Sequence, residues 1–88
     1  MTDNEKLVRL LQERKMSVTT AESCTGGLVA AEITDVEGSS EVFRRGFITY
    51  CDEAKHEMLG VPYEILLEHT AVSQQTAEAM VRGAAGKT

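Results

Sequence analysis

Apolar residues along this chain switch repeatedly between helical and strand-like spacing. Leu7, Val8, Leu10 and Leu11 recur three and four residues apart. That spacing predicts a first helix over roughly Asn4 to Arg14, capped by Asp3, with Leu7, Leu10 and Leu11 on one face and Val8 beside it. Met16 to Ala21 is rich in β-branched residues and predicts the first strand. A glycine turn and a second helix follow, from Leu28 to about Thr34. The loop from Asp35 to Ser40 has turn chemistry throughout, and Glu41 to Arg45 reads as one helical turn with Val42 and Phe43 inward. Gly46 to Cys51 predicts the second strand, apolar enough to be buried on both faces. Asp52 reads as the cap of a helix over Glu53 to Leu59, which Gly60 stops. Pro62 opens another over Tyr63 to His69. Ser73 caps the last, where Ala77, Met80, Val81 and Ala84 share helical spacing, Gly83 is a weak point and Gly86 ends the run.

Strand–helix alternation implies an α/β layered domain, yet two strands against five helical segments are few for such a sheet. The chain therefore reads as a single, incomplete domain over residues 1–88, because it stops after a helix where a strand would normally return. The other reading is a chain that borrows strands from a second copy. A homo-oligomer that covers the exposed sheet is expected.

Composition narrows the partners. Hydrophobic content of 42% and charged content of 26% fit an ordinary globular chain. A net charge of -5 with scattered basic residues, Arg44-Arg45 being the one adjacent pair, argues against nucleic-acid binding. No apolar run approaches a membrane span and the first residues, MTDNEK, lack a signal-peptide core, so a cytoplasmic protein without membrane contact is expected. Cys24 and Cys51 read as free thiols. Neither His56 nor His69 sits in a cluster with metal-ligand spacing, so no metal and no cofactor is expected.

The densest chemistry lies in TAESCTGG, Thr20 to Gly27. A strand-to-helix turn leaves the first helical N–H groups without partners. Gly26 and Gly27 permit a tight turn and close approach, while Ser23, Cys24 and Thr25 supply small polar side chains. Such a turn suits an oxyanion or a phosphate, and equally a simple helix cap by Ser23 or Thr25. In an α/β sheet functional groups gather beyond the carboxyl ends of the strands. Ser23 and Thr25 follow the first strand; Tyr50, Asp52 and Lys55 follow the second. No Ser-His-Asp set is evident, but lysine can activate a serine where burial disfavours its ammonium form. Lys55 in the first turn of a helix, near the positive dipole end, fits that need. The plainer alternative is an exposed Lys55 and a Tyr50 packed in the core.

TAESCTGG, the loop DVEGSSEVFRRGFITY (Asp35 to Tyr50), EAK at Glu53 to Lys55, LGV at Leu59 to Val61 and HTAVS at His69 to Ser73 occur in order at close spacing. Together they resemble the CinA C-terminal family, from about Leu7 onward. The resemblance implies a three-layer α/β/α fold, of which this chain holds the N-terminal part of the sheet. It also implies a metal-independent serine–lysine amidohydrolase that converts nicotinamide mononucleotide, a pyridine mononucleotide, to nicotinate mononucleotide and ammonia. Ser23, Ser40, Tyr50 and Lys55 fall on family motif positions. Ser23 is the first choice as nucleophile and Ser40 the rival; Lys55 is the base in either case, and Tyr50 would orient the serine or lysine. Thr25, Gly26 and Gly27 would bind substrate, through N–H groups that hold either the oxyanion or the phosphate.

The chain departs from the family pattern at three places. TYCDEAK stands where the family reads TYSNEAK, and an ion pair between Asp52 and Lys55 would keep the amine charged and blunt it. Thr70 stands where the family commonly has glycine. Family members also continue into a second glycine-rich segment, of VTGIAGPGG type, that nothing here matches. The alternative function is a non-catalytic relative that binds a phosphorylated nucleotide or self-associates.

Overall fold

The structure is a computed structural model that describes residues Met1–Thr88. Thr2, rather than Asp3, starts the first helix. Its hydroxyl accepts from the Glu5 N–H at 3.1 Å and the Glu5 carboxylate accepts from the Thr2 N–H at 3.1 Å, which closes a capping box ahead of α1 (Asp3–Arg14). Val8 is the buried residue of this helix, Leu11 is half-buried, and Leu7 and Leu10 face solvent. The packed face is thus rotated away from the leucine-rich one, because Val8 is the residue that meets Ile33 and Val42.

Two strands form, β1 (Ala21–Glu22) and β2 (Phe47–Ile48), parallel, with Ala21 opposite Phe47 and Glu22 opposite Ile48. They are shorter than the runs that predict them. A single bridge pairs Val18 with Phe43 upstream. The first segment takes three residues from that bridge to the ladder and the second takes four, so one extra residue is accommodated as a bulge. The Thr19 hydroxyl donates to the Arg45 carbonyl at 2.8 Å across it. Beyond the bulge the ladder is tight, with Phe47 N–H to Thr20 O and Thr49 N–H to Glu22 O both at 2.8 Å. The second strand is not buried on both faces. Ile48 lies against the Gly27 turn with half its surface exposed, Tyr50 is 72% exposed, and Thr49 between them is fully buried.

α2 (Leu28–Thr34) follows β1, and a 3₁₀ turn over Ser39–Glu41 precedes β2. Val8, Ile33 and Val42 form one core, joined by Val18 and Phe43, the bridge partners. Beyond β2 come α3 (Asp52–Leu59), α4 (Tyr63–His69) and α5 (Gln74–Ala85). They enclose a second core of Leu59, Val61, Leu66, Ala79, Met80 and Ala84, joined by Ala21 and Phe47 of the sheet. Each large apolar side chain buried there contributes about 1.5–3 kcal/mol. The sheet therefore feeds two helical cores, an α/β arrangement as expected.

The buried stripe of α5 is Thr76, Ala79, Met80 and Ala84, while Ala77 and Val81 are exposed. Gly83 sets this rotation. A Cβ there would sit 1.9 Å from the Leu59 carbonyl oxygen, so α5 can approach the end of α3 only along a glycine. What reads in the sequence as a weak point is the contact that seats the helix.

Candidate active site

Parallel pairing without an intervening strand puts the ends of β1 and β2 side by side. Ser23 follows β1 directly, and Thr49 follows β2. Thr49 points inward; its hydroxyl donates to the Glu22 carbonyl at 3.2 Å. α3 begins three residues later, so Lys55 stands on its first turn with its side chain directed back toward the strand ends. Lys55 is 1% exposed. Its Nζ lies 3.0 Å from Ser23 Oγ and donates to the Thr49 carbonyl at 2.9 Å. No carboxylate neutralises it: the one ion pair of the chain joins His69 and Glu68 at 3.9 Å. Asp52 is exposed and does not pair with Lys55, so the anticipated blunting contact is absent.

The turn that carries Ser23 is organised by a residue the sequence reading missed. Glu22 is 4% exposed, and its carboxylate collects five donors. Oε1 accepts from the Thr25 hydroxyl at 2.9 Å, from the Gly27 N–H at 3.1 Å and from the Val29 N–H at 2.9 Å. Oε2 accepts from the Thr20 hydroxyl at 3.2 Å and from the Ala30 N–H at 3.1 Å. Burial alone would raise the Glu22 pKa. The hydrogen bonds from Val29, Ala30, Thr25 and Thr20 outweigh that and hold the carboxyl below its ordinary value. The signal in the sequence is an acid at the end of a β-branched run, five residues ahead of the second glycine. It caps α2 from the strand rather than from the position before the helix.

This changes the part played by the glycine turn. The Gly27 N–H is taken by Glu22, and the Gly26 N–H donates to the Ser23 carbonyl at 3.0 Å. Neither is open to an oxyanion or a phosphate, and the Thr25 hydroxyl is likewise committed to Glu22. Gly27 remains a structural requirement, at φ 105 and with its missing Cβ facing Ile48 Cδ1 at 2.8 Å. The N–H groups without an acceptor in the chain are those of Ser23, Cys24 and Thr25, one turn earlier. They border a cavity of about 550 Å³ between this turn, Val29, the Ala71–Ser73 loop and Met80 and Val81 of α5. No lysine, arginine or histidine lines it.

Two expected residues stand apart. Ser40 is exposed in the 3₁₀ turn and makes no hydrogen bond within the chain. It precedes the Val18–Phe43 bridge, so it lies where the strand pair begins, whereas the Lys55 amine lies where the pair ends. Tyr50 makes no hydrogen bond to Ser23 or Lys55. Strand alternation turns Thr49 in and Tyr50 out, and its hydroxyl has no partner in the chain. Cys24 and Cys51 are both free and exposed.

Comparison with known proteins shows the family of the chain. The family model described as the CinA C-terminal domain matches residues 2–88. The chain is 52% identical over 81 residues to the nicotinamide-nucleotide amidohydrolase PncC of Escherichia coli strain K12, covering 92% of this chain and 49% of that protein. It is 56% identical over 80 residues to a putative competence-damage inducible protein of Caldicellulosiruptor bescii, covering 91% of this chain and 20% of that one. Among solved structures, the competence damage-inducible protein A of Klebsiella pneumoniae superposes with a TM-score of 0.94 at 35% identity, covering 97% of this chain and 53% of that chain. The protein CihA of Agrobacterium tumefaciens superposes at 0.86 with 46% identity, covering 99% of this chain and 55% of that chain. The chain thus spans from 18% to 49% of the length of the curated relatives it matches. With the family model covering nearly every residue and the fold reproduced in solved relatives, the chain belongs to the CinA C-terminal domain family.

Proposed function

We propose that this chain carries the nucleophile and base of an amidohydrolase that acts on the carboxamide of a pyridine mononucleotide. One observation bears most of the weight: a buried lysine with no carboxylate partner lies 3.0 Å from a serine hydroxyl at the end of a parallel strand. Lys55, as the neutral amine, takes the Ser23 Oγ proton as the oxygen attacks the carboxamide carbon. The resulting oxyanion is stabilised by the N–H groups of Cys24 and Thr25, which have no acceptor in the chain. Lys55 then returns the proton to the departing nitrogen, and ammonia leaves an acyl-serine. Water, deprotonated by the same amine, hydrolyses the ester and restores Ser23.

The name of the Escherichia coli relative supports the substrate class. The cavity beside Ser23 has apolar walls suited to a planar ring, from Val29, Met80 and Val81. The test is ammonia release from nicotinamide mononucleotide by the wild-type chain and by Lys55→Ala. Activity lost in the variant supports the reading, and a fully active Lys55→Ala contradicts it.

A second reading, in which the chain binds a phosphorylated nucleotide without turnover, draws on the cavity beside the acceptor-free N–H groups of Ser23, Cys24 and Thr25, which suit an anion. A folded wild-type chain that binds nicotinamide mononucleotide in calorimetry but releases no ammonia supports that reading instead.

A further inference from the structure

The cluster around Glu22 is built with more hydrogen bonds than capping a seven-residue helix requires. One side-chain oxygen suffices to cap a helix, as Thr2 and Ser73 do at α1 and α5. Glu22 instead fills both oxygens with three backbone N–H groups and two hydroxyls, all within eight residues of itself. The donors lie on both sides of Ser23: Thr20 before it, and Thr25, Gly27, Val29 and Ala30 after it. Ser23 is the residue next to Glu22, and the Glu22 carbonyl is in turn held by both the N–H and the hydroxyl of Thr49. Thr49 also holds Lys55 through its carbonyl. One residue thereby links the nucleophile's turn to the strand that fixes the amine.

We infer that Glu22 is a positioning residue for Ser23: its buried carboxylate pins the turn so that the hydroxyl stays within proton-transfer distance of Lys55. This rests on the reading of Ser23 and Lys55 as the reacting pair. The carboxylate touches no substrate. It acts by excluding other turn conformations, and by taking the helix N–H groups so that the three free ones lie at Ser23 to Thr25.

The inference separates from a merely structural role by reading Ser23 in the folded protein. The full chain is treated with a small serine-directed sulfonyl fluoride, and modification of Ser23 is followed by intact mass and peptide mapping. The rate is normalised to the folded fraction from circular dichroism. Wild type is expected to label at Ser23, with Lys55→Ala labelling more slowly. The near-isosteric Glu22→Gln offers one acceptor oxygen and cannot hold five donors. Its folded fraction is expected to label about 10- to 100-fold more slowly, the cost of a displaced reacting group. A purely structural Glu22 would lower the melting temperature and leave that normalised rate within twofold of wild type, which overturns the inference. If Glu22→Gln does not fold, Thr20→Val removes one donor and keeps the carboxylate. A slowing of about 2- to 10-fold is then expected, and an unchanged rate is the overturning result. Folded wild type left unlabelled at Ser23 removes the nucleophile itself, and this inference with it. Normal wild-type labelling with an unaffected Glu22→Gln overturns the inference alone.

Discussion

Lys55 Nζ and Ser23 Oγ stand 3.0 Å apart although 32 residues separate them in the chain. Neither side chain is placed by local sequence. β1 and β2 pair in parallel, Thr49 directly follows the second strand with its carbonyl on the amine, and α3 starts three residues later so that its first turn points back to the strand ends.

Lys55→Met tests whether this amine serves chemistry or stability. Burying a polar amine carries a desolvation cost, and an apolar chain of similar length removes it. The loss is a partner for the Thr49 carbonyl, worth about 1–3 kcal/mol if left unpaired. The opposing terms are similar in size. Thermal denaturation is expected to show a change of under about 2 kcal/mol while ammonia release disappears. A collapse of the fold would mark Lys55 as a structural residue first.

Acid should weaken the fold through Glu22. Its pKa is held below the ordinary value in the folded state, by hydrogen bonds that outweigh burial. A depressed carboxylate contributes stability that is fully present above its ordinary value of 4.5. That contribution is lost as pH falls through the lower folded value. Melting temperature should therefore drop as pH goes from about 5 downward, and Glu22→Gln should flatten the part of the curve that belongs to this residue. An equally steep decline in the variant would assign the acid sensitivity elsewhere, with Glu5 as the other depressed carboxyl.

Gly83→Ala sets two effects against each other. Alanine in a helix interior is favoured over glycine by about 1 kcal/mol. The new methyl would meet the Leu59 carbonyl oxygen at 1.9 Å, a backbone atom that cannot swing aside. Overpacking of this kind costs about 1–3 kcal/mol or more, so a net loss of stability is expected by chemical denaturation. A stabilised variant would show that α5 shifts freely on α3.

Thr70 adopts φ 67 and ψ 171, a conformation that favours glycine. A side chain held there costs about 1–3 kcal/mol, while glycine gives back about 0.5–1 kcal/mol in unfolded-state freedom. Thr70→Gly is expected to raise the melting temperature. Its carbonyl still accepts from Thr76 Oγ at 2.6 Å, so the loop before α5 stays anchored. A lower melting temperature would mean that the Thr70 side chain contributes more than its backbone costs.

The helices and the order of elements were legible because each has a local signal: a cap at Ser73, a stop at Gly60, an opening proline at Pro62. The buried faces of α1 and α5 were not. They are set by which residue meets another helix, Val8 against Ile33 and Gly83 against Leu59, and helical spacing alone leaves that rotation undetermined. The juxtaposition of Ser23 and Lys55 was legible from their places after the two strands. Glu22 was missed because its five donors come together only when the turn closes. That Tyr50 faces outward was not legible, because which residue of the alternation turns inward, here Thr49, depends on the packing beneath it. The glycine N–H groups were offered to a ligand because the sequence does not reveal that a carboxylate already holds one of them.

The most direct test compares ammonia release from nicotinamide mononucleotide by Ser23→Ala and Ser40→Ala, each confirmed as folded, against wild type. Loss of activity in Ser23→Ala with Ser40→Ala near wild type is the predicted result, since Lys55 reaches only the first of these hydroxyls. Full activity in Ser23→Ala, or its loss in Ser40→Ala alone, would contradict the account.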